Sequence, residues 1–131
     1  MSKPILCLDF DGVVHSYISG WQGADIITDP PVDGAIAFMI QALDHFDVCV
    51  FSSRSNQKGG VRAMENWLKE HAGACWYPSP AGAGLEEVRF VTEKPPAFLT
   101  IDDRAITFHG DFSTLSPEEL LKFKPWNKRE T

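Results

Sequence analysis

The chain has 131 residues, 44% of them hydrophobic and 23% charged, and a formal net charge of −6. Such a chain supports one domain with one core and does not have the composition of a disordered segment. The acidic balance argues against a broad nucleic-acid footprint, although a local basic cluster can still meet phosphates, and no apolar run reaches membrane-spanning length.

Residues 4–8 form a short apolar run bounded by Pro4 and an acid pair, read as a buried parallel strand. Residues 14–29 scatter His15, Tyr17, Trp21 and Ile26 among Ser19, Gly20 and Gly23, a pattern for a flap or short hairpin rather than a helix. Pro30-Pro31 breaks the chain before a helix with Asp33 at its cap, and Ile36, Phe38, Met39, Ile40 and Leu43 give it a largely buried face up to about His45. Residues 47–51 are a second continuous apolar strand, ending at Ser52-Ser53-Arg54. After Gly59-Gly60, the residues Val61, Met64, Trp67 and Leu68 follow helical spacing to about His71, with Trp67 in the core and Gly73 as the stop.

Residues 75–77 read as a brief strand and 78–84 as a small-residue loop. Residues 88–91 and 97–101 read as further strands, the latter delivered by Lys94-Pro95-Pro96 and ending at Asp102-Asp103. An edge strand is expected at 106–108. Ser116-Pro117-Glu118-Glu119 opens a last short helix, with Ser at the cap and Pro just inside. One domain over 1–123 and a loose polar tail over 124–131 complete the expected organisation.

Cys7, Cys49 and Cys75 are odd in number and lack a CxxC spacing, so no disulfide framework or zinc site follows. Cys7 and Cys49 fall inside apolar runs and read as core residues. No signal-peptide pattern opens the chain, and a cytoplasmic setting is expected.

Strands alternating with helices predict an α/β sheet with mainly parallel strands, whose ligands bind outside the carboxyl ends of the strands. The polar clusters fall at those ends: Asp9 and Asp11, then Ser52 to Arg54, then Asp102 and Asp103. Two carboxylates two residues apart raise each other's pKa unless a cation or hydrogen bonds compensate them. A hard divalent cation with a nucleophile beside it accounts for the pair.

Taken together, Leu8-Asp9-Phe10-Asp11-Gly12-Val13-Val14, the strand ending in Ser52, Lys94 before its prolines, and Thr100-Ile101-Asp102-Asp103-Arg104-Ala105-Ile106 resemble the haloacid dehalogenase-like hydrolase superfamily, which is mostly phosphatases. The resemblance runs from the first strand through Asp103. It implies a Rossmann-like three-layer sandwich and a Mg²⁺-dependent phosphomonoester hydrolase working through an aspartyl-phosphate. Asp9 takes the place of the nucleophile and Asp11 that of the general acid and base. Ser52, with Ser53 as the alternative, and Lys94 take the phosphate-binding places. Asp9, Asp102 and Asp103 take the metal places, together with Asp11, which would use its backbone carbonyl. His15, Arg54 and Arg104 are candidate substrate contacts or structural partners, and Tyr17 and Trp21 candidate shields. His45, His71 and His109 have no ligand spacing.

The gaps between Asp11 and Ser52 and between Ser52 and Lys94 are each filled by a helix and short connecting segments, which leaves no room for a folded cap. The expected site is therefore open, and its substrate a phosphorylated small molecule or the phosphorylated end of a macromolecule. Two other classes compete. A receiver domain also takes a phosphoryl group on Asp, but its acids cluster as an adjacent pair, unlike Asp9 and Asp11. A catalytically silent metal or phosphate binder, or a phospho-accepting regulatory domain, can occupy the same fold.

Overall fold

Continuous burial along two short strands decides where the sheet lies. The structure, a computed structural model, describes residues 2–128. Four strands, β1 (Ile5–Leu8), β2 (Asp47–Val50), β3 (Arg89–Phe90) and β4 (Leu99–Ile101), form one sheet in the order β3-β2-β1-β4. All three pairings are parallel, as the alternation with helices predicts. In β1 and β2 three successive residues are buried. Successive side chains of a strand point to opposite faces, so both faces of these two strands are covered. Every residue of the edge strand β4 is exposed.

Helix α1 (Ala35–Ala42) precedes β2 and helix α2 (Gly60–Ala72) follows it; α3 (Pro117–Leu120) comes after β4. Helix α2 buries Met64, Trp67, Leu68 and Ala72, one stripe at helical spacing. It stops at Gly73, which adopts the positive φ of 56° that side chains resist. These residues join Leu6, Leu8, Phe10, Met39, Val48 and Val50 in the core. Cys7 and Cys49 are buried and unpaired, whereas Cys75 is exposed. Among the described residues no helix is long and apolar enough to cross a membrane.

Several local expectations are corrected. The cap of α1 is Gly34, in a left-handed conformation, and Asp33 makes no side-chain cap bond. The helix ends at Ala42 because a turn over residues 43–45 brings the Phe46 and His45 amides back onto the Ala42 carbonyl. Residues 75–77 do not form a strand. The chain leaves α2 directly into a 3-10 turn, Gly73–Trp76, where it contacts α2 and has no strand to pair with. Residues 106–108 add no strand to β4, and Ile106 and Phe108 are exposed. Ser116 caps α3 by position alone, with Pro117 in the first turn as expected.

The segment expected as a flap or hairpin builds no strand ladder. Its bridges are single pairs, Asp11 with His15 and His15 with Pro31. The carbonyls of Gly23, Ala24 and Ile26 turn inward to Arg54 instead of to an opposing strand. The tail is not loose where it is described. Pro125 is buried, and Trp126 and Asn127 bond to the segment after β1. Residues 129–131 of the expected tail lie outside the described residues.

Leu68, on the inner face of α2, is fully buried in the core. Leu68→Ala is expected to lower unfolding free energy by about 2–5 kcal/mol, as measured by urea denaturation. A loss under about 1 kcal/mol would contradict this account of the core.

Candidate functional site

The parallel register creates the site. Leu8 lies level with Val50 on one side and with Ile101 on the other. The next residue of each strand, Asp9, Phe51 and Asp102, therefore leaves the sheet along one common edge. Backbone bonds extend the ladder to that point, from the Phe51 amide to the Leu8 carbonyl at 3.1 Å and from the Asp9 amide to the Ile101 carbonyl at 3.0 Å.

Carboxylate oxygens of Asp9, Asp102 and Asp103 lie within 4.8 Å of one another. Asp9 and Asp103 are half-buried and Asp102 is exposed. The Phe10 amide donates to Asp9 Oδ1 at 2.9 Å, and the Arg104 amide donates to Asp102 Oδ1 at 2.8 Å. Asp103 rests against Gly12, where any Cβ would collide with its Oδ2. Gly12 also has a φ of 83°, so both space and backbone call for glycine there. The Oδ1 of Asp103 is buried without a hydrogen-bond partner.

Burial pushes the Asp9 carboxyl up to about 7; the Phe10 amide opposes the rise, and Asp102 and Asp103 reinforce it. Burial also raises Asp103, against the pull of its hydrogen bond with Asp9. Three acids, an orphaned carboxylate oxygen and a cradle reserved by glycine together fit a small cation with oxygen ligands.

The Asp11 carboxylate belongs to a second cluster. Arg54 Nε donates to both its oxygens, at 3.2 and 2.9 Å. His15 Nδ1 lies 2.9 Å from its Oδ1. On the far side of that ring, the Asp29 amide donates to His15 Nε2 at 3.2 Å. An accepting Nε2 assigns the proton to Nδ1, so His15 donates to Asp11. The imidazole stacks on Phe10, with ring centroids 5.4 Å apart, and meets the edge of Trp67 at 5.5 Å.

Arg54 has no exposed surface. Its Nη1 donates to the carbonyls of Gly23, Ala24 and Ile26 at 2.8, 3.0 and 3.2 Å. Its guanidinium carbon lies 4.7 Å from the Trp21 ring centroid, a cation–π distance. The Nη2 is buried with no hydrogen-bond partner.

The other expected residues are placed unevenly. Ser52 is buried, and its hydroxyl accepts from the Arg54 amide at 3.2 Å. Ser53 is exposed, and its carbonyl accepts from Gln57 Nε2 at 2.9 Å. Lys94 is exposed in the segment between β3 and β4. Among the described residues no hydrogen bond or ion pair ties Lys94 to the acids. The Arg104 side chain is exposed.

Sequence reading missed Asp29, Trp126 and Asn127. Asp29 is buried and takes two bonds from Ser19, from its amide and its hydroxyl, both at 2.7 Å. Its carbonyl accepts from Trp67 Nε1 at 2.9 Å. An acid just before Pro30-Pro31 was the available signal for a fixed turn. For Trp126 and Asn127 the signal was weaker, an aromatic residue in an otherwise polar tail.

Compared with models of known protein families, with curated proteins and with solved structures, the chain finds no match.

Burial pushes the Asp29 carboxyl up, but the two Ser19 hydrogen bonds outweigh it and hold the group below its ordinary value. A lowered folded pKa gives stability that is present above the unfolded value of about 3.9 and is lost as pH falls through the folded one. Wild-type stability is therefore expected to drop below about pH 4. Asp29→Asn should lose about 1–3 kcal/mol at neutral pH and follow a flatter profile below pH 4. Parallel profiles in urea unfolding from pH 2 to 7 would remove this assignment.

Proposed function

We propose that the chain is a Mg²⁺-dependent phosphomonoester hydrolase of the haloacid dehalogenase-like type, small and capless, with an open site. The observation that carries the reading is the convergence of Asp9, Asp102 and Asp103 at the carboxyl ends of two adjacent parallel strands. A Rossmann-like three-layer arrangement, with residues 14–29 as a flap beside the site, belongs to the same reading. The free cysteines suit a cytoplasmic setting.

In this reading Asp9 attacks the phosphorus and the bond to the leaving oxygen breaks, giving an aspartyl-phosphate that water then hydrolyses. Asp11 donates the proton to the leaving oxygen and later takes one from the water. Its two donors, Arg54 Nε and His15 Nδ1, hold it in one orientation. They also stabilise the carboxylate left once its proton has gone. Ser52 or Ser53 and Lys94 supply donors and positive charge to the phosphoryl oxygens, and Arg104 flanks the entrance. Asp9, Asp102 and Asp103 would hold Mg²⁺, with the Asp11 carbonyl the remaining protein ligand that the resemblance implies. When bound, the cation supplies charge neutralisation for the phosphate and the acids around it.

The substrate is a phosphorylated small molecule or the phosphorylated end of a macromolecule, since no cap restricts entry. Wild-type protein is expected to hydrolyse an aryl phosphate in the presence of Mg²⁺ and to lose activity with EDTA. Asp9→Asn should lower kcat at least ~10³-fold, and Asp11→Asn by about 10²–10⁴-fold. Equal rates for wild type and Asp9→Asn would remove Asp9 as nucleophile. A folded wild type inactive across a broad panel of phosphate esters would leave a silent binder or a regulatory phospho-acceptor in place of the enzyme.

A further inference from the structure

The turn after β1 closes on itself through one atom. The amides of Val13, Val14 and His15 all donate to the Phe10 carbonyl, at 3.2, 2.9 and 2.9 Å. The Gly12 amide donates to the His15 carbonyl at 2.7 Å. Two carbonyls of this segment are instead satisfied from the far end of the chain. Trp126 Nε1 donates to the Gly12 carbonyl at 2.7 Å, and Asn127 Nδ2 donates to the Ser16 carbonyl at 3.2 Å. Between those anchors and the rest of the tail, Pro125 is buried and its carbonyl accepts from the Lys128 amide at 2.9 Å, closing the tail into a short 3-10 turn.

Gly12 thus stands between two groups. Its α-carbon faces the Asp103 carboxylate, and its carbonyl faces the Trp126 indole. A shift of Gly12 would move the floor on which Asp103 rests. Phe10 and Asp11, which link Gly12 to Asp9, would move with it.

We propose that residues 125–127 are a strap that positions the acid cluster, with Trp126 as the positioning residue acting through Gly12 on Asp103. The proposal rests on the reading of Asp9, Asp102 and Asp103 as a cation site. It assigns to the end of the chain a part of the site's geometry that no residue of the strap touches directly. Trp126 stays half exposed and lies outside the core cluster.

The test is titration of the full chain with Mn²⁺ alone by calorimetry, for wild type, Trp126→Phe and Asn127→Ala, alongside amide exchange at Val13, Val14 and His15. Trp126→Phe keeps a ring and removes the donor. It is expected to weaken Mn²⁺ binding about twofold to tenfold, the range for one lost hydrogen bond, and to speed exchange at the three amides. Asn127→Ala, which leaves the indole bond, should act in the same direction and decides the matter if Trp126→Phe does not fold. A purely structural strap would lower the unfolding midpoint and leave Mn²⁺ affinity alone, so equal affinities in the folded variants would overturn the proposal. A wild type that binds no Mn²⁺ would remove the site and the proposal with it. Binding that responds to Trp126→Phe in a protein inactive on every ester would support the strap while overturning the hydrolase.

Discussion

A guanidinium with no exposed surface lies at the centre of this molecule, and the segment after β1 is arranged to make it tolerable. An unpaired buried cation is prohibitive. Arg54 is compensated by the Asp11 carboxylate and by three carbonyls of residues 23–26. Removing one partner of such a pair costs about 3–5 kcal/mol, because the remaining charge is stranded. Gly60 adapts to the same residue: a Cβ there would run into the Arg54 carbonyl. The path of the chain from Asp11 to Ile26 is therefore set largely by one side chain delivered from the end of β2.

Two clusters of opposite character follow, side by side. Around Asp11, donors outnumber acceptors, and the carboxylate is held by Arg54 and His15. Around Asp9, acids gather with few donors, and burial drives the Asp9 carboxyl up to about 7. Environment thus separates two carboxylates only two residues apart in sequence.

Much of this was legible in the sequence, for identifiable reasons. The strands at Leu6 to Leu8 and Val48 to Val50 are unbroken apolar runs because both faces are covered, and such runs announce themselves. Asp9 and Asp102 could be placed at strand ends because apolar runs stop there. The stripe through Met64, Trp67 and Leu68 had the right period for α2. What failed was short or tertiary in origin. Asp33 looked like a cap, but Gly34 supplies the left-handed turn. Residues 75–77 and 106–108 had strand composition without a neighbour to pair with, and a strand is decided by pairing. The inward path of residues 23–26 depends on a cation 28 to 31 positions away in sequence. No local pattern announces such a contact, nor the return of Trp126 to Gly12.

The sheet order has a dynamic corollary. Strand β1 is paired on both sides, whereas β4 is paired only with β1 and is exposed along its whole length. Local opening therefore does not reach the two halves of the acid cluster equally. Asp9 follows an interior strand, while Asp102 and Asp103 follow an edge strand able to fray by itself. A ligand spanning both halves would bind only the closed edge and so hold it shut. Occupancy would then be felt far from any chemistry, as slower proteolytic nicking of the chain that follows Asp103.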